Sequence, residues 1–336
     1  MFVGINLFIF LFIVGLRYDS TDYMQYMFIY DAINSLEQVS ILFAQLENDW
    51  KTTETGFALL ILFEKHVTSS FYIFIFVFAL ISLSIKFYSF YKMSPYFMLS
   101  LLLYLSDVYF WKDMGQMRNA IASAIVLFSI FYLLKKENLK FIITIFIAGM
   151  IHNFAFLGFL LYLFKYFNSK KTMITIFVFS ILIAFIGGAG QLVVLLTELL
   201  NLGSDTRLLL YLSGRDSQAF ALFGGTFLVH LVLSFFFLMK YNSLTNYSEY
   251  NKILVPMYIY GTVLIFMFID IGIISSRTRD LFTVPSSIIL IPMLLKIIDG
   301  RYKKLVFFAI IVYSMIFFTL MIKNNIDMPY KNLIMM

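Results

Sequence analysis

Residues 67–85 read Val67-Thr-Ser-Ser-Phe-Tyr-Ile-Phe-Ile-Phe-Val-Phe-Ala-Leu-Ile-Ser-Leu-Ser-Ile85. No charged side chain interrupts the run, and it reaches the ~20 residues that a helix needs to cross a hydrocarbon core of ~30 Å. Outward from it the pattern repeats at 2–16, 96–110, 119–134, 172–190, 221–239, 253–271, 281–298 and 305–322. A further apolar stretch, 141–164, is interrupted near His152. The composition agrees. Apolar residues make up 61% of the 336 and charged ones only 13%, whereas soluble domains carry about half and about a quarter. The mean hydropathy is +0.89. The reading is all-α: a polytopic transmembrane helical bundle of about 9–11 membrane segments. It forms a single integral membrane domain over 1–336.

Composition also removes several chemistries. There is no cysteine, hence no disulfide, thiolate metal site or cysteine nucleophile. The histidines His66, His152 and His230 lie far apart in sequence, which argues against a His-rich metal site. No Gly-rich phosphate loop, H-E-x-x-H or G-x-S-x-G pattern is present. The net charge of +6 is explained by basic cytoplasmic loops rather than by nucleic acid.

The lysines set the orientation. With 86–95, 135–140, 165–171, 240–252 and 299–304 facing the cytoplasm, that side holds Lys86, Lys92, Lys135, Lys136, Lys140, Lys165, Lys170, Lys171, Lys240, Lys252, Lys303 and Lys304. Only Glu137, Glu249 and Asp299 accompany them. Lys140 and Lys165 then share a side, so 141–164 must enter and return as a re-entrant hairpin with His152 near its tip. The outer side carries 17–66, the turn 111–118, the segment 191–220 and the turn 272–280. Six of the seven arginines fall there: Arg17, Arg118, Arg207, Arg215, Arg277 and Arg279. Lysine suffices to hold topology, whereas the planar guanidinium grips carboxylate or phosphate with two bonds. The outer face therefore reads as an anion-binding surface. The bland alternative is that these arginines snorkel or pair with nearby acids.

Four segments carry the candidate chemistry. Asp19 and Asp22 come shortly after Arg17, and Tyr23, Tyr26 and Tyr30 recur at helical spacing, so 22–32 reads as a short interfacial helix capped by Ser20, Thr21 or Asp22. In 111–122, Gly115 breaks the chain before a helix whose first turn holds Arg118, with Gln116 and Asn119 alongside. A cation there opposes the helix dipole, but an anion held by it is favoured. His152 sits between two apolar arms, either as a buried histidine bonded to a carbonyl or as a proton carrier facing a cavity. Arg277 and Arg279 lie two apart, and in an extended turn both face one ligand, with Asp270 and Asp280 near enough to neutralise one of them. The segment 191–220, which opens with the amphipathic stretch Gln191–Leu202, is long enough to cover a substrate.

The set Arg17-Tyr18, Asp22-Tyr23, Asp113-Met-Gly-Gln-Met-Arg118-Asn-Ala-Ile-Ala122, Ile151-His152-Asn-Phe-Ala155 and Arg277 resembles the EpsG family of Wzy-type polysaccharide polymerases. A glycine usual before the acid of the second piece is replaced here by Ser20 and Thr21. The resemblance implies joining of oligosaccharide repeat units carried on undecaprenyl diphosphate. The reaction would occur at the outer face of the bacterial cytoplasmic membrane, giving O-antigen, capsule or exopolysaccharide. It implies no cofactor, nucleotide sugar or obligatory metal. Expected partners are the lipid-linked oligosaccharide, the bilayer, and a chain-length regulator and flippase of the same pathway. On that basis Arg118 and Arg277, assisted by Arg279, are expected to hold the diphosphate. Asp22 or His152 is the general base. Arg17, Tyr23 and Asp113 meet the glycan, Arg17 orienting either Asp22 or the acceptor sugar. The alternatives are an O-antigen ligase or another polyprenyl-dependent glycosyltransferase, which share the carrier but differ in product, and a transporter or flippase, which requires ionisable groups deep in its spans.

Overall fold

A computed structural model describes residues 2–37, 54–190, 195, 199, 219–324 and 331–332. In chain order the helices are α1 (Phe2–Gly15), α2 (Tyr23–Ala32), α3 (Thr55–Val67), α4 (Phe71–Met93), α5 (Phe97–Tyr104), α6 (Met117–Leu134), α7 (Asn138–Ile151), α8 (Leu160–Tyr166), α9 (Lys170–Phe185), α10 (Gly225–Met239), α11 (Tyr241–Tyr247), α12 (Asn251–Met267), α13 (Gly272–Thr278), α14 (Val284–Ile297) and α15 (Lys303–Asn324). Wider π-type turns continue α5 over Leu105–Asp113 and join α13 to α14 over Arg279–Thr283. A short antiparallel pair, β1 (Arg17–Asp19) with β2 (Lys331–Asn332), is the only sheet among the described residues.

The helical membrane bundle read from the sequence is what forms. Among the described residues, Phe71–Met93, Met117–Leu134, Gly272–Ile297 and Gly300–Lys323 are long and apolar enough to cross a bilayer. The pair α10 and α11, bent by 69°, makes a fifth. Val3–Gly15, Asn138–Ile151, Asn153–Tyr166 and Asn251–Met267 are apolar but shorter. The apolar runs are thus present, but several are broken into pieces, which packed neighbours permit by re-satisfying the freed backbone groups.

The chain divides into two compact units, 1–158 with 291–336, and 159–290. In the first, α1 and α6 pack on α4, α7 packs on α6, and α3 leans on α7. Chain reversal at His152 is direct. His152 is extended (φ −152°, ψ 114°), and a methyl group added to Gly158 would meet Ile145 at 2.8 Å. Gly149 similarly faces the Phe156 ring. The chain therefore turns back at His152 as expected, and 153–158 lies against α7, with a glycine on each side of the contact.

In the second unit α12 is the centre. It is buried on nearly every side by α8, α9, α10 and α13, as expected for a helix apolar all round. Gly261 admits the 279–283 turn, where a methyl group would stand 2.7 Å from Phe282.

The structure corrects two expectations. Lys86 does not belong to a cytoplasmic loop. It lies inside α4, buried, with its Nζ 2.6 Å from Asp113. Asp113 is not an exposed glycan contact either. It also accepts from Ser82 (2.8 Å) and Tyr104 (2.5 Å) and is 3% exposed. An unpaired charge is costly in this interior, so each group makes the other tolerable. The second correction concerns 272–280, which is no extended turn but part of the helix Gly272–Ile297. Residues two apart on a helix point to roughly opposite faces at ~100° per residue, so Arg277 and Arg279 do not present a fork to one ligand.

Asp113→Leu should strand Lys86 and cost about 3–5 kcal/mol, read as a lower unfolding midpoint in detergent. The double variant Lys86→Met/Asp113→Leu should regain most of that loss.

Candidate functional site

The site begins where the chain leaves α1. Asp22 takes a left-handed conformation (φ 62°), one that Asp tolerates better than most residues, and turns the chain into α2. It stands at the cap position, but its side chain makes no cap bond. Ser20 does not cap either. Its hydroxyl donates to Met114 O at 2.7 Å, and Gly115 nearby has no room for a side chain between Trp111 and Thr21. Segment 17–22 is thus fastened to the turn that precedes Arg118.

The short helix expected over 22–32 forms as α2, and Tyr23, Tyr26 and Tyr30 are all buried. They pack on Phe57 of α3 and on Phe71 and Phe74 of α4, at ring separations of 5.3–5.9 Å. Tyr23 therefore lies in an aromatic core, 4% exposed, and not on a sugar-stacking face. The Tyr30 hydroxyl donates to Glu64, a buried carboxylate that also accepts from Thr68 and from the Ser70 backbone N–H.

Arg118 is the second residue of α6, at the expected helix start. Its guanidinium lies 5.5 Å over the Tyr26 ring and 5.4 Å over Phe57, a cation–π arrangement that fixes its plane. The anion it meets is a carboxylate of this chain. Arg118 Nη1 donates to Glu54 Oε2 at 2.5 Å. The other oxygen of Glu54, Oε1, is 3.1 Å from His152 Nδ1 and accepts at 3.4 Å from the Asn153 backbone N–H. Glu54 joins the start of α3, the start of α6 and the tip of the 138–159 hairpin.

Glu54 is not among the residues that the sequence singles out. Its signal is an acid directly before the apolar run Phe57–Phe63, the usual place for a negative charge at a helix start. Gly56 is the second clue. A methyl group there would stand 2.7–2.9 Å from Met150, so only glycine brings Glu54 this close to His152.

Electrostatics assign the proton. Burial alone would push the Glu54 carboxyl up, but the His152 hydrogen bond and the Arg118 charge outweigh it and hold it down at about 2. An ionised carboxylate only accepts, so the hydrogen between the pair sits on His152 Nδ1. With the hydrogen on Nδ1, Nε2 is the unprotonated nitrogen of the neutral ring, and it is buried.

The remaining candidates fall in different places. Arg17 does not orient Asp22. It is 2% exposed, donating to Val14 O at 2.8 Å and to Met117 Sδ at 3.7 Å. It lines a small void with Asp113, Ser82 and Met117, and burial lowers its pKa to about 10. Its bonds to Val14 and Met117 tie the end of α1 to the start of α6, and the Asp113 charge acts on it. Arg277 and Arg279 lie in the second unit, both half-buried, with Arg279 Nη1 4.0 Å from Asp280. Asp270 accepts from the Gly190 backbone N–H at 2.8 Å. Arg207, Arg215 and nearly all of 191–220 lie outside the described residues, as do 38–53 of the 17–66 segment. His230, for which the sequence suggests no role, is buried against Tyr258 OH at 2.9 Å. Among the described residues no group of three or more His, Asp and Glu side chains is placed to hold a metal ion.

The geometry has two measurable consequences. Gly56→Ala should push α3 off Met150 and part Glu54 from His152, lowering the unfolding midpoint by an amount equivalent to about 1–3 kcal/mol. The ionised Glu54 contributes stability that is complete above its ordinary value of 4.5 and lost as pH falls toward about 2. Wild-type protein in detergent should therefore lose stability across that window, and Glu54→Gln should lack that part of the loss.

Comparison with known proteins agrees with the motifs from which the site is read. The family model described as the EpsG family matches residues 1–332 of the 336. No curated protein and no solved structure matches the chain. With nearly the whole length matched, the chain belongs to the EpsG family, a family of membrane proteins that act as glycosyltransferase-like polymerases in polysaccharide biosynthesis.

Proposed function

We propose that the protein joins oligosaccharide repeat units carried on a polyprenyl diphosphate, at the outer face of the bacterial cytoplasmic membrane. The observation that carries this reading is the Glu54 carboxylate held between Arg118 and His152. It favours His152 over Asp22 as the general base, because His152 has the orienting partner that such a base needs.

The step balances without a metal. A hydroxyl of the incoming unit attacks the anomeric carbon of the growing chain, and His152 Nε2 takes its proton. The bond from that carbon to the diphosphate oxygen breaks, and the electron pair leaves with the polyprenyl diphosphate. Glu54 holds the imidazole in one tautomer and balances the positive charge that develops on it. Arg118 fixes Glu54 in turn, so its first role is to position the base rather than to grip the diphosphate.

Surface glycan from a deletion strain complemented with variants tests the proposal. His152→Ala and Glu54→Gln should each cut polymerisation by about 10²–10⁴, leaving single repeats on the surface with protein abundance unchanged. Arg118→Lys keeps the charge but loses the planar fork, and should also shorten chains strongly. Wild-type chain lengths in these variants would refute the roles. Complete loss of glycan on deletion, or glycan moved once to a different acceptor, would instead indicate the ligase reading.

A further inference from the structure

The Phe71 end of α4 carries the aromatic bed of the Glu54 site, and its Met93 end opens on a different feature. There Tyr91, the start of α5, the end of α14 and the start of α15 enclose a groove of about 1100 Å³. Its walls are apolar, formed by residues such as Val3, Phe97, Leu99, Leu295, Phe307 and Phe308. Its rim is basic. Lys303 and Lys304 line it directly. Lys296 lies 5.1 Å over Tyr96 and Lys92 lies 5.8 Å over Tyr91, and both tyrosines belong to the groove. Among the described residues no carboxylate pairs with any of these four lysines. The acid nearest in sequence to Lys303, Asp299, is already engaged by Arg301, through its backbone N–H at 3.1 Å and its guanidinium at 3.7 Å.

A long apolar trough ended by four unbalanced cations matches a molecule with hydrocarbon chains and an anionic headgroup. We propose that the groove binds an anionic glycerophospholipid of the phosphatidylglycerol class from the cytoplasmic leaflet. The acyl chains lie along Leu99 and Phe307, and the phosphate sits between Lys303 and Lys304. Basic pockets between transmembrane helices at the cytoplasmic level suit such headgroups, and tyrosines at the rim place it at interface depth. A zwitterionic lipid fills the trough equally well but leaves the lysines unbalanced.

Native mass spectrometry of the full chain in detergent tests this, with dioleoyl phosphatidylglycerol, dioleoyl phosphatidylcholine and undecaprenyl phosphate as probes. Wild-type protein should retain phosphatidylglycerol about tenfold more tightly than phosphatidylcholine. Lys303→Gln/Lys304→Gln should weaken that binding by about tenfold or more. Leu99→Trp, which fills the trough and leaves the lysines in place, should weaken it as well. Equal retention of the two phospholipids, or unchanged phosphatidylglycerol binding in both variants, overturns the proposal. Displacement of phosphatidylglycerol by undecaprenyl phosphate at equal concentration also overturns it, by making the groove a path for the carrier lipid.

Discussion

The Glu54 carboxylate is the constraint on which the first unit depends around the starts of α3 and α6. It ties the start of α3, which carries it, to Arg118 at the start of α6 and to His152 at the hairpin tip. Arg118 alone would oppose the dipole of its own helix, and His152 alone would be a polar group between apolar arms. Each is tolerable because Glu54 is ionised, and Glu54 stays ionised because both are present. Tyr26 of α2 and Phe57 of α3 complete the arrangement by packing their rings on the guanidinium, and Gly56 permits the approach.

The same balancing of charge runs through the interior. Lys86 and Asp113 neutralise one another where neither would survive alone, and Arg17 sits near the same carboxylate. Asp113 ends the turn that leads to Arg118, and Arg17 bonds Met117 beside it. The polar core therefore acts as a foundation for the site rather than as part of its contact surface. In a bilayer, where apolar packing between helices competes with equally apolar lipid, such pairs and close glycine contacts do much of the fastening.

Much of this is legible in the sequence, and the exceptions have physical reasons. The apolar runs, the helix starting at Met117, the tyrosine-faced helix and the reversal at His152 are all local patterns, and local pattern is what hydrophobic periodicity records. Lys86 reads as a loop residue because a lysine after an apolar run looks like a span boundary, and its partner lies 27 residues on. Glu54 escapes notice for a similar reason: its partners are 64 and 98 residues away. Arg277 and Arg279 look like a fork because Ser275-Ser276 and Thr278 resemble a turn, whereas wider helical turns carry the chain through that stretch without a break. Pairings across sequence distance are what single-chain reading resolves least.

The central claim is that Glu54 holds His152 as a base whose titrating nitrogen is Nε2. The chain has only three histidines, so ¹⁵N spectra of imidazole-labelled protein in bilayers, with His66 and His230 removed in turn for assignment, report on it directly. Neutral His152 should carry its hydrogen on Nδ1 and leave Nε2 unprotonated, and Glu54→Gln should abolish that preference. A neutral His152 protonated on Nε2, or a spectrum indifferent to Glu54→Gln, would contradict it.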